Sequence, residues 1–178
     1  MKRLKVLAIC GSLDEHASNS TIISHLTETY KDICSCELFK TEYLPYFTPI
    51  HDQLKLPAPV KVFYQKLSAA DAILITTPEY IFSLPGAVKN ALEWTVATNL
   101  LEDKPCCLIV AAADGSHAFE SLQMIMRTLL ADLDDTTNLH IRGIKGKIRN
   151  GEIICDKSKA NINRAFECLI RRIHHSPE

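Results

Sequence analysis

The sequence predicts an α/β fold in which a five-stranded parallel sheet is covered by helices on both faces. Three observations predict it. Continuously apolar runs recur at 5–10, 71–76 and 105–113, apolar on both faces as buried parallel strands require. Segments with apolar residues at helical spacing separate them. The alternation of strand and helix runs from end to end, and five strands in 178 residues fit the doubly wound order 2-1-3-4-5.

The elements follow in order. The run at 5–10 is closed by Gly11-Ser12, a turn signal. Ser18-Asn19-Ser20 offers helix caps, with Ile22, Ile23, Leu26 and Tyr30 spaced behind it. Residues 34–39 read as a second strand. Residues 40–56, with Pro45 and Pro49, read as a long loop. A helix at 57–70 carries Val60, Phe63, Tyr64 and Leu67 on one stripe. The third strand is 71–76. Pro85-Gly86 opens a helix to about residue 97, with Val88, Leu92 and Val96 on one side. The fourth strand is 105–113, followed by a long helix over 118–133. A weak fifth strand at 139–143 and a helix at 159–173 complete the chain. No repeat or linker interrupts it, so residues 1–178 read as one domain.

Composition excludes several classes. A hydrophobic share of 47% and a charged share of 23% are those of an ordinary globular protein. A net charge of −1 supplies no field to gather nucleic acid or anionic membrane. The apolar run near the start is too short for a signal peptide, and no stretch approaches a membrane span. Seven cysteines without framework spacing argue against a secreted disulfide scaffold and for a cytoplasmic protein. Cys34 and Cys36 fall on one strand face, but no second pair completes a metal site. All seven read as core or surface thiols.

Ligands of an open parallel sheet bind beyond the carboxyl ends of the strands, where the order reverses. Here that is the crevice between the loops after the first and third strands, bordered by the loop after the fourth. The first loop runs from Gly11 to Ser20 and opens a helix, so free amides and hydroxyls face an incoming anion. Simple N-capping by Ser18 or Asn19 explains the same residues equally well. There is no GxGxxG and no Walker lysine. The second loop, 76–86, brings Tyr80, Ile81 and Phe82 to the crevice, where they either contact a planar ring or plug the loop onto its own core. The third, 113–118, either closes over a ring edge or is a plain turn capped by Ser116. Trp94 reads as helix packing, His117 as a surface turn residue or a substrate contact, His174-His175 as a frayed end, and Lys89 and Arg127 as solvated helix faces.

Gly11-Ser12-Leu13 with Ser18-Asn19-Ser20, and the string from Thr77 through Trp94, resemble the NADPH-dependent FMN reductase family, which includes quinone, azo-dye and chromate reductases. The resemblance extends over nearly the whole chain. It implies a flavodoxin-like three-layer sandwich, bound FMN, NADPH or NADH as donor, and a homodimer or homotetramer. Carried over by position, Ser12, Ser18 and Asn19 face the phosphate and ribityl chain. Pro78, Glu79, Tyr80 and Ile81 run along the isoalloxazine, largely through backbone. Asp114, Gly115 and Ser116 lie at its other side. The chain departs from the family at Asp14, commonly Arg, at Ala17, commonly Ser, at Ile81, commonly Asn, and at His117-Ala118, where Gly-Gly is frequent. An Asp within ~4 Å of a phosphate costs on the order of 4 kcal/mol at an intermediate dielectric, so Asp14 turns to solvent or weakens binding.

The function so implied is an NAD(P)H-dependent oxidoreductase that passes electrons through FMN to a small-molecule acceptor: a quinone, azo compound, metal oxyanion or free flavin. The redox chemistry belongs to the flavin, so no catalytic side chain and no metal ligand is assigned, and Glu79 with Glu93 is not taken as an acid/base pair. Two alternatives stand beside it. One is an electron carrier without NAD(P)H turnover, which a net charge of −1 suits poorly. The other is an interaction protein that has lost FMN, which Asp14, Ala17 and Ile81 keep open. A phosphoacceptor receiver is excluded because the third strand ends in Thr76-Thr77. The dimer expectation has a sequence reason. The helix at 85–97 carries Ala87, Ala91 and Trp94 off its main stripe, and a partner chain or the loop at 40–56 must cover them.

Overall fold

The computed structural model describes residues 3–50 and 55–175. The strands are β1 (Leu4–Cys10), β2 (Cys34–Phe39), β3 (Ala72–Thr77), β4 (Cys106–Ala112) and β5 (Asn138–Arg142). They pair in the order β2-β1-β3-β4-β5, every pair parallel. The expected architecture and strand order are therefore those observed.

Alternation along the strands splits the core in two. Leu7, Ile9, Ile73, Ile75, Leu108 and Val110 face one side, where α2 (Ala58–Ala69), α3 (Gly86–Trp94) and α4 (Ser116–Thr128) cover them. Val6, Ala8, Leu74, Cys107 and Ile109 face the other, under α1 (Ser18–Thr29) and α5 (Asp156–His175). Each fully buried anchor, such as Phe63 in α2 and Phe166 in α5, contributes roughly 1.5–3 kcal/mol of transfer free energy. All seven cysteines are free thiols. Cys34 and Cys36 do share a face, packed with the core under α1, and burial pushes the Cys34 thiol up to about 11. The described residues contain no cluster able to hold a metal and no helix long and apolar enough to cross a membrane.

Several bounds differ from the sequence reading. The helix expected over 118–133 is α4, which starts at Ser116 and stops at Thr128. Leu130 takes φ +58° and turns the chain, so that Asp132 can pair with Pro105 beside β4. The helix begun at Pro85 ends at Trp94 rather than near 97. The last helix continues through His175 instead of fraying before it. A short 3₁₀ turn at Ile144–Lys147 and a hairpin, β6 (Ile148–Arg149) with β7 (Glu152–Ile153), had not been expected.

The loop after β2 provides the cover that α3 needed. The Pro45 carbonyl accepts from Trp94 Nε1 at 2.8 Å and from Asn90 Nδ2 at 3.0 Å, and the Phe47 amide donates to Asn90 Oδ1 at 2.7 Å. Phe47 meets Trp94 edge-on, with ring centroids 5.2 Å apart. Ala91 and Trp94 are consequently buried within one chain. Ala91 and Trp94 therefore give no argument for a partner subunit, while Ala87 is only half-buried. Residues 51–54 of this loop lie outside the described residues.

Candidate active site

The strand order reverses between β1 and β3, and their loops diverge there to leave a cavity of about 550 Å³. Its walls come from the β1 loop (Ser12, Asp14, His16, Ala17), the start of α1 (Ser18, Asn19), the β3 loop (Pro78, Glu79, Tyr80) and the end of β4 with its loop (Ala111, Ala112, Ala113). Ile144 and Lys145, from the turn after β5, complete it. A second cavity, of about 430 Å³ and lined by Lys5, Ser35, Glu37 and Lys66 among others, lies at the amino ends of the strands, away from this switch point.

The β1 loop can approach β3 closely because Gly11 has no side chain. A Cβ there would lie 2.1 Å from Thr77 Oγ1. Its amide donates to the Thr76 carbonyl at 2.7 Å. Beyond Gly11 the loop folds on itself. Asp14 Oδ1 accepts the His16 amide at 2.9 Å, and the Asp14 carbonyl accepts from Ser20 Oγ at 2.8 Å and from the Ala17 amide at 3.0 Å. Asp14 is exposed, one of the two outcomes its charge left open, yet the residue still lines the cavity.

Neither Ser18 nor Asn19 caps α1. The N-cap residue is Ala17, and no side chain caps the first turn. The leading amides of α1 thus have no partner within the helix, and they open where Ser18 and Asn19 line the cavity. Asn19 is only 2% exposed. Its Nδ2 donates to the Ala111 carbonyl at 3.0 Å, tying α1 to β4 across the cavity floor. Its Oδ1 is buried with no hydrogen-bond partner. A buried acceptor without a donor is costly, and Asn19 is among the residues that line the cavity.

In the β3 loop Glu79 lines the cavity, but its carboxylate is engaged: Oε2 accepts the Ala118 amide of α4 at 2.9 Å. Glu93 is paired with Lys89 at 2.6 Å on the exposed face of α3. The two glutamates therefore do not form an acid/base pair. Tyr80 and Ser83 exchange both backbone hydrogen bonds, at 3.0 and 3.1 Å, around a two-residue turn. Ile81 and Phe82 occupy it with φ of +50° and +55°. This is the geometry of a hairpin turn that favours Asn or Gly, and a β-branched residue is strained in it. Ile81 is 96% exposed at the tip and does not line the cavity. Phe82, also exposed, packs edge-on against His117 at 5.5 Å.

Asp114, Gly115 and Ser116 border the cavity from beyond Ala113 without lining it. Gly115, not Ser116, is the N-cap residue of α4. It adopts φ +93°, and a Cβ there would meet His140 Nε2 at 3.0 Å. Arg142 of β5 pairs with Asp114 at 3.0 Å and donates to Ser116 Oγ at 2.9 Å, while Ser116 Oγ donates to Asp114 Oδ1 at 2.9 Å. His140 bonds the Asp114 carbonyl at 2.6 Å. These bonds hold the loop outward as a firm rim.

The structure thus gathers Ser12, Ser18, Asn19, Pro78, Glu79 and Tyr80 around one cavity and sets Ile81, Asp114, Gly115 and Ser116 on its margin. Sequence reasoning missed Ile144 and Lys145. The only signal for them was Gly143, which ends β5 in the left-handed region and donates to the Ala113 carbonyl at 3.0 Å.

Comparison with known proteins agrees with this architecture. The sequence pattern of the NADPH-dependent FMN reductases matches residues 4–134. An NAD(P)H-dependent FMN reductase of Pseudomonas aeruginosa is 32% identical over 180 residues, spanning 96% of this chain and 97% of its own. Subunit CrdA of the NADH:(hydroxy)cinnamate reductase of Vibrio ruber is 31% identical over 167 residues, spanning 93% and 78%. Among solved structures, the flavoenzyme NAD(P)H:(acceptor) oxidoreductase FerB of Paracoccus denitrificans shares the fold, with a TM-score of 0.76 at 19% identity over 97% of this chain and 98% of that one.

Proposed function

The chain belongs to the NADPH-dependent FMN reductase family, and we propose that it holds FMN in the cavity between the β1, β3 and β4 loops and passes electrons from NAD(P)H to a small acceptor. One observation carries this reading: the uncapped start of α1, with Ser18 and Asn19 in its first turn, lines a single cavity at the switch point. At about 550 Å³ the cavity falls within the roughly 300–1,000 Å³ of small-molecule sites. Its donor set suits the cofactor. Amides of the first turn of α1, with the Ser12 and Ser18 hydroxyls, hold the phosphate. Asn19 Oδ1 accepts a ribityl hydroxyl. Pro78, Glu79 and Tyr80 lie along the ring, and Ile81 with the Asp114–Gly115–Ser116 rim flanks its open side.

Bound FMN supplies the hydride acceptance and the electron release. The residues bind, orient and shield. Glu79 fixes the β3 loop to α4, Arg142 fixes the rim, and no side chain is needed as acid or base. The acceptor classes in this reading are quinones, azo compounds, metal oxyanions and free flavin. The active form in this reading is a homodimer or homotetramer, with exposed Ile81 and Phe82 beside the cavity as the apolar surface that association would cover. Seven free thiols support a cytoplasmic location, and residues 1–178 act as a single domain.

Purified protein titrated with FMN, then assayed for NADPH and NADH consumption with a quinone, tests the reading. Stoichiometric flavin binding with steady turnover is expected. Flavin binding without turnover would favour a carrier, and no flavin binding would reject the proposal.

A further inference from the structure

The cavity has an unbalanced charge. Asp14 and Glu79 line it with carboxylates, and a bound phosphate would add roughly two more negative charges. Among the described residues that line it, Lys145 is the one permanent cation. Its position is built rather than incidental. Gly143 takes φ +63° and donates to the Ala113 carbonyl at 3.0 Å, which sets the turn after β5 against the β4 loop. Ile144 is buried in the core beneath α5 and anchors the turn. The next residue, Lys145, is then delivered exposed at the cavity lip. It forms no ion pair or hydrogen bond among the described residues. Two residues on, Lys147 is occupied: its Nζ donates to the Arg142 carbonyl, and it does not line the cavity.

We propose that Lys145 is the phosphate-binding cation of this site, reaching across from the β5 turn to the anion held at the start of α1. The inference rests on the FMN reading above. It assigns to the far wall of the cavity a charge that the β1 loop, with Asp14, does not provide. An ammonium suits the task because it acts as a point charge with rotatable donors and needs no planar partner.

The test is a fluorescence titration of the full chain with FMN and with riboflavin, which has the same ring and ribityl chain but no phosphate. Lys145→Gln is expected to weaken FMN about 10- to 100-fold, the usual loss for a charge-assisted hydrogen bond, and to leave riboflavin unchanged. Lys145→Arg should retain most FMN affinity, and Lys147→Gln should retain all of it. The proposal is overturned if Lys145→Gln binds FMN like the parent, if it weakens riboflavin as much as FMN, or if Lys147→Gln weakens FMN equally, which would indicate overall charge rather than a site. A parent protein that binds neither flavin overturns the cofactor reading itself, a result seen before any substitution is made. Since Lys145 is exposed, loss of folding does not confound the series, and unfolding midpoints of the variants verify this.

Discussion

Asn19 Nδ2 donates to the Ala111 carbonyl at 3.0 Å, joining the first turn of α1 to the end of β4, while its Oδ1 is buried without a partner. The nitrogen thus has a structural role, and the proposed reading gives the oxygen to the cofactor. Asn19→Ala should lower the stability of the flavin-free protein by about 1–3 kcal/mol, because the Ala111 carbonyl loses its donor in the interior. FMN affinity should fall in the same variant. Urea unfolding with and without FMN separates the two effects. Unchanged stability would show that the α1–β4 tie contributes nothing.

Asp14 gives a different prediction from the one its charge alone suggests. Its Oδ1 holds the His16 amide at 2.9 Å, so Asp14→Arg would exchange a bad charge for a lost turn. Asp14→Asn keeps an acceptor in place and removes only the charge. FMN affinity in Asp14→Asn should rise about 2- to 5-fold, a modest gain because the carboxylate is exposed and screened. A titration at low salt, where the effect is largest, checks this. A fall in affinity would mean that the carboxylate itself serves the site.

Ile81 sits at φ +50° with nearly its whole side chain in solvent. A left-handed backbone costs a β-branched residue on the order of 1–2 kcal/mol, and Asn tolerates it. Ile81→Asn should therefore stabilise the protein by about 1 kcal/mol in urea unfolding, unless a partner covers the side chain. Light scattering on the same variant links the turn to assembly. A parent mass of two or four chains that drops to one on Ile81→Asn would place this tip at an interface. A parent that is already a single chain would remove the oligomer from the account.

The fold was legible because buried parallel strands leave continuous apolar runs. Residues 71–76 and 105–113 needed no tertiary information to be read as strands. The end of α4 was not legible: Leu129 and Leu133 continue the helical spacing, and only the left-handed Leu130 reveals the break. The β6–β7 hairpin did leave a signal. Asn150-Gly151 is a strong turn pair, and both residues have positive φ. Much of the candidate site was readable from the β1 and β3 loops, where Ser, Asn and Pro cluster beside apolar strands. Its far wall was not. Lys145 reaches the cavity through a turn after β5 whose direction depends on Gly143 and the Ala113 carbonyl, and backbone hydrogen bonds leave little trace in composition. The same holds for α3, whose Trp94 is covered by the Pro45 carbonyl and Phe47 of the same chain.

The central claim is that FMN bound in this cavity is reduced by a nicotinamide. Anaerobic mixing of the FMN-loaded protein with NADPH, and separately with NADH, followed by flavin absorbance, tests it most directly. The yellow colour is expected to bleach with at least one donor and to return when a quinone is added. Protein that binds FMN stoichiometrically but stays yellow with both donors would contradict it.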